Sequence, residues 1–180
     1  MRNRETTLGK VMADAFKDVL DVDVMLLGSG SIRRDELGPI VTYQDIREVL
    51  PYNDPVHMLT VTGKQLRHMT GYALRDETGG QTPEYYQYSR GFRVEYDRKK
   101  HEIRSMSLNG YEIKDNEQIR IGLQDYHLAN IKKFLDVSLE EVSQICRPKV
   151  LSTSCTDVVE EYFSRQELVR ASEEERLVFV

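Results

Sequence analysis

The sequence predicts an α+β domain: a mixed sheet flanked by helices, with an antiparallel meander at its centre. Helical spacing of apolar residues alternates with short strand-like runs through the first part of the chain. Three segments of period-two alternation then follow one another across turn residues, and helical signals return before a last apolar stretch.

The elements follow in order. Leu8, Val11, Met12, Ala15, Phe16, Val19 and Leu20 share one helical face, and Thr6 or Thr7 can cap it, which predicts a helix from Thr7 to Asp21. Val22 to Leu27 is too short for a second helix and reads as a strand buried on both faces. Thr42 caps a short helix through Leu50, which Pro51 ends and which leaves Tyr52 on a loop. Val56 to Val61 reads as a strand, Thr62-Gly63 as a turn and Lys64 to Leu74 as a helix. Arg75 to Pro83 is a polar surface connection, after which Tyr85, Tyr86, Tyr88 and Phe92 crowd together. Gly91 to Tyr96, Ile103 to Leu108 and Ile119 to Leu123 form the meander, with Asn109-Gly110 as a strong hairpin signal. Short helices are predicted around Leu128 to Leu135 and Ser138 to Val142, a longer one over Thr156 to Phe163, and a terminal strand at Leu177 to Val180.

Composition narrows the partners. The 180 residues, 39% of them hydrophobic, suffice for one large domain with a real core. A net charge of -5 with both signs interspersed argues against a nucleic-acid polymer as partner, yet leaves room for a local cationic pocket. No membrane partner is expected either, since no apolar stretch approaches the roughly 20 residues of a span, and Met1 to Glu5 has no apolar region behind its charges. Cys146 and Cys155 read as free thiols. His57, His68, His101 and His127 are scattered without ligand spacing, so no metal centre is expected in this chain.

One loop carries more chemistry than the rest. Gly28-Ser29-Gly30-Ser31-Ile32-Arg33 closes the buried strand with a small-residue turn and then a fixed cation, so backbone amides and a guanidinium can approach an anionic ligand together. It lies at a strand's carboxyl end, where open α/β sheets bind ligands. The Leu50-Pro51-Tyr52 corner and the segment Gln124 to Asn130 add two aromatic loops. A cation and flat rings together suit a nucleotide.

These residues resemble the C-terminal domain of the 5'-nucleotidase family over nearly the whole chain. Arg4-Glu5, Leu8-Gly9 and Ala13-Asp14-Ala15 resemble its opening helix, and Gly28 to Arg33 resembles its Asn-Gly-Gly-Gly-Ile-Arg loop. Val49-Leu50-Pro51-Tyr52 resembles its Leu-Pro-Phe element, Val61-Thr62-Gly63 its Leu-Thr-Gly turn, and Gly91 to Asp97 continues the match in order.

The resemblance implies a substrate-binding role for residues 1–180 as a single domain, with a nucleotide or nucleoside held between two aromatic rings. Tyr52 is one clamp; the second is Tyr126 or His127, the latter in register with the family's aromatic. Arg33 and Arg2 would hold ribose and phosphate oxygens beside Gly28, Ser29, Gly30 and Ser31. Two departures imply altered base or sugar selectivity: Gly28 replaces an asparagine, and Ile131-Lys132-Lys133 replaces a Gly-Gly-Asp whose carboxylate binds the ribose, so that Lys133 reverses the charge. The family's hydrolysis uses two divalent metal ions held by Asp-x-His and Gly-Asn-His-Glu motifs of an N-terminal metallophosphoesterase domain. That motif pair does not occur together here, so the chain alone is expected to be inactive and its cofactors to lie in that other domain. A stand-alone nucleotide-binding or docking module is the alternative.

Overall fold

The computed structural model describes residues 4–75 and 84–180. Helix α1 (Thr7–Leu20) starts where the Thr6 side chain accepts from the Gly9 amide, and buries Met12, Ala15 and Phe16. Strand β1 (Val24–Gly28) is buried at every position, as its unbroken apolar run requires. A 3-10 turn (Ser29–Ser31) leads on to α2 (Tyr43–Val49). Reciprocal capping boxes, Thr42 with Asp45 and Thr62 with Gln65, start α2 and α3 (Gly63–Ala73), between which runs β2 (Val56–Thr62).

Strands β3 (Tyr86–Tyr88), β4 (Phe92–Asp97), β5 (Glu102–Leu108), β6 (Tyr111–Glu112) and β7 (Gln118–Gln124) follow. Helices α4 (Asp125–Ala129), α5 (Ile131–Leu135) and α6 (Leu139–Ser143), strand β8 (Lys149–Ser152), helix α7 (Cys155–Ser164) and strand β9 (Leu177–Phe179) complete the described elements.

The strands form two mixed sheets, ordered β3-β1-β7-β2-β8 and β6-β5-β4-β9. The predicted α+β class with helices flanking a mixed sheet holds, but the meander is divided between the sheets. β4 and β5 pair antiparallel, and the Asn109-Gly110 turn, with φ of 52° and 84°, returns the chain into β6. The third alternating segment, β7, instead crosses to the centre of the first sheet, parallel to β1 and antiparallel to β2. Ile119, Ile121 and Leu123 of β7 are buried, and a position between two strands gives them that cover.

The five-stranded sheet is covered on both faces. Met25 and Leu27 of β1 face α1, α2 and α7 in one apolar cluster, while Val24 and Leu26 join Leu66 of α3, Leu135 of α5, and Phe92, Val94 and Met106 of the second sheet in another. Both cysteines are free. No helix among the described residues is long and apolar enough to cross a membrane.

Candidate functional site

Sheet polarity brings four loops to one end of the five-stranded sheet. β1 and β7 run parallel, so the turn after Gly28 and helix α4 after Gln124 leave at the same end. β2 runs against β7 with Val56 opposite Gln124, which returns the 51–55 loop to that end. β3 runs against β1 with Tyr86 opposite Gly28, which places Glu84 there too. The crevice lies outside the carboxyl ends of parallel strands.

Between these loops is a cavity of 530 Å³. Gly30, Ser31, Arg33, Tyr52, Tyr126 and His127 line it, six of the nine residues singled out from the sequence. Gly28 and Ser29 sit behind its wall, and Arg2 lies outside the described residues. Asp54, Glu84, Lys133 and Phe134 also line the cavity.

Arg33 is positioned by its backbone amide, which donates to the Val49 carbonyl at the end of α2 (2.8 Å). Its guanidinium donates to the Tyr52 hydroxyl (2.9 Å), with its carbon 5.0 Å from the ring centroid. Among the described residues no carboxylate pairs with Arg33, so its charge remains available to an anion. Tyr52 is 50% exposed. Its loop is fastened by Asn53, whose side-chain oxygen accepts from the Ser154 hydroxyl (2.8 Å), the Thr156 hydroxyl (2.9 Å) and the Thr156 amide (3.1 Å) at the start of α7.

In the same cavity Tyr126 is 54% exposed, whereas His127 is 2% exposed. His127 Nδ1 hydrogen-bonds the Tyr86 hydroxyl (2.9 Å), and burial pushes the imidazole down to about 4, which keeps it neutral at pH 7. Its ring supports Tyr126 from beneath at 5.5 Å and meets Phe134 at 5.2 Å. Tyr126 therefore offers open ring surface to the cavity, and His127 forms its floor. Phe134 stands 5.8 Å from Tyr126, a second flat face that sequence reasoning missed. It falls seven residues after His127, which brings the two to the same side of a helical stretch.

The glycine-serine turn is arranged differently from the expected amide cradle. The Ser29 amide donates to the Tyr85 carbonyl (2.8 Å) and the Gly30 amide to Glu84 Oε1 (2.8 Å). The serine hydroxyls face inward: Ser29 Oγ accepts from Gln87 and Ser31 Oγ donates to Gln124 Oε1 (2.7 Å). These groups are engaged within the protein, whereas the Arg33 guanidinium pairs with no carboxylate among the described residues. Gly28 is required by close approach, because a Cβ there would lie 2.1 Å from His127 Nε2.

Asp125-Tyr126-His127 has the Asp-x-His spacing, but its two ends diverge. Asp125 pairs with His57 Nε2 (2.8 Å) while His127 turns to Tyr86. No group of three or more His, Cys, Asp or Glu that could hold a metal occurs among the described residues. These residues therefore do not fit a metal ion. A larger cavity of 910 Å³ lies between the start of α1, the 35–41 segment and the stretch after α7, but its charged lining residues, Asp35, Glu36 and Glu167, are all acidic and would repel a phosphate.

The fold is an α+β domain with a crevice at one end of its five-stranded sheet, and sequence comparison gives the family. The 5'-nucleotidase C-terminal domain matches residues 1–136, and the chain belongs to that family. No curated protein matches the chain. Among solved structures it is similar to a 5'-nucleotidase precursor from Thermus thermophilus (TM-score 0.79, 16% identity, covering 99% of this chain and 36% of that one). It is also similar to the NAD nucleotidase of Haemophilus influenzae (0.78, 15%, 96% and 32%). A third is a sulfate thiohydrolase, also from Thermus thermophilus (0.72, 15%, 99% and 33%). The chain spans about a third of each of these proteins. At such identities the likeness shows the fold alone, and one fold serves chemically different substrates.

Proposed function

We propose that this domain binds a nucleoside or nucleotide and presents its phosphoester to a metallophosphoesterase domain lying outside the 180 residues. The observation that carries the reading is convergence: two half-exposed tyrosine rings and a guanidinium with no carboxylate partner among the described residues share one cavity. A base slides between Tyr52 and Tyr126, and Arg33 holds an anionic oxygen at the mouth. The bond to be broken is thereby fixed in orientation, which lowers the entropic part of the barrier. Two divalent metal ions in the other domain would supply the activated water; this chain supplies binding and orientation.

Titration calorimetry with a nucleoside and nucleoside-monophosphate panel tests the reading. Tyr52→Ala is expected to weaken binding about fivefold to a hundredfold, the loss of one stacking face. Arg33→Ala is expected to weaken monophosphates more than the matching nucleosides. Equal binding by wild type and Tyr52→Ala, or no binding by either, would remove the proposal.

A further inference from the structure

We infer that Asp54 reads the edge of the bound base and selects one that presents two adjacent N–H donors, as guanine does; this deepens the nucleoside-binding reading and rests on it. Asp54 lines the cavity two residues after the Tyr52 ring. At this end the loops carrying the two tyrosines are stitched together, because the Asp125 amide donates to the Pro55 carbonyl (2.8 Å). Arg33 donates to the Tyr52 hydroxyl, the tip of that ring. In the proposed pose a flat ring held between Tyr52 and Tyr126 turns one edge toward Asp54 and its sugar and phosphate toward Arg33.

Asp54 is partly buried, yet among the described residues it makes no hydrogen bond or ion pair. Its neighbour Asp125 is engaged by His57. Burial first, and then the charge of Asp125, raise the Asp54 carboxyl, so an incoming donor pair relieves an acceptor that the fold leaves unserved. An ionised carboxylate only accepts. Guanine sets N1–H beside its exocyclic amino group, which matches two carboxylate oxygens in parallel. Adenine sets an amino group beside a ring nitrogen lone pair, and that lone pair faces the carboxylate unfavourably. Uracil offers one N–H between two carbonyls, and hypoxanthine offers N1–H alone.

Calorimetry of the whole chain with guanosine, inosine and adenosine decides the matter. The expected order is guanosine, then inosine, then adenosine, with guanosine about tenfold or more tighter than adenosine. In Asp54→Asn, whose amide can donate to the adenine ring nitrogen, that advantage should shrink to about threefold or less. Adenosine binding as tightly as guanosine to wild type overturns the inference while the nucleoside reading stands, and this ranking needs no variant. A uniform loss for all three nucleosides in Asp54→Asn also overturns it, since the carboxylate would then be serving the ribose hydroxyls. Failure of all three to bind wild type removes the nucleoside reading and this inference with it.

Discussion

At Gly28 a single hydrogen atom decides whether His127 can lie where it does. Gly28→Ala should push the imidazole off the Tyr86 hydroxyl and out from under Tyr126, costing about 1–3 kcal/mol in chemical denaturation and weakening nucleoside binding. His127 also imposes a pH dependence. Its folded pKa of about 4 lies below the ordinary 6.5, so the unfolded chain binds more protons between these values and stability falls as pH drops through that window. The loss approaches about 3 kcal/mol near pH 4. The difference between wild-type and His127→Gln denaturation curves from pH 7 to 4 should show it; parallel curves would mean that the imidazole is not held neutral. Arg33 and Tyr52 were readable from local motifs because a turn and a proline corner fix them. Which of Tyr126 and His127 stands exposed was not, because the burial of His127 depends on Tyr86, 41 residues away in the chain.

Elements were legible where their signals are local. Capping residues and the Asn109-Gly110 turn mark α2, α3 and the β5–β6 hairpin in the sequence itself. Strand β8 was missed because only Val150 and Leu151 carry an apolar signal, and β2, the one strand it pairs with among the described residues, lies far away in sequence. The predicted meander joins β7 to the strands before it, whereas the structure sets it between β1 and β2, because alternation reveals a strand and not its neighbours. The terminal strand β9 is secured by a fully buried Arg176, whose guanidinium donates to Asp14 (2.7 Å) and to the Tyr88 carbonyl (2.6 Å). Arg176→Ala would take the countercharge from Asp14, leaving its carboxylate only the Arg90 amide, and is expected to cost about 3–5 kcal/mol, measured by denaturant unfolding. Asn53→Ala should release the Tyr52 loop from α7, weakening nucleoside binding more than it lowers the melting temperature.

Over the whole molecule, the residues proposed to hold a ligand come from segments that only the assembled sheet brings together, so a bound nucleoside should stabilise the folded chain alone. At a concentration of about 100 Kd the gain is about 2.7 kcal/mol, visible as a raised melting temperature, and in Tyr52→Ala at the same concentration the gain should fall to between about 0.4 and about 1.8 kcal/mol. The two ring-bearing loops flank adjacent strands, β2 and β7, paired in continuous register from Val56–Gln124 to Thr62–Gln118. The jaws of this vice are therefore set by a ladder of backbone hydrogen bonds instead of by a flexible joint. Whatever ligand enters this cavity meets two walls whose spacing is held by the sheet itself.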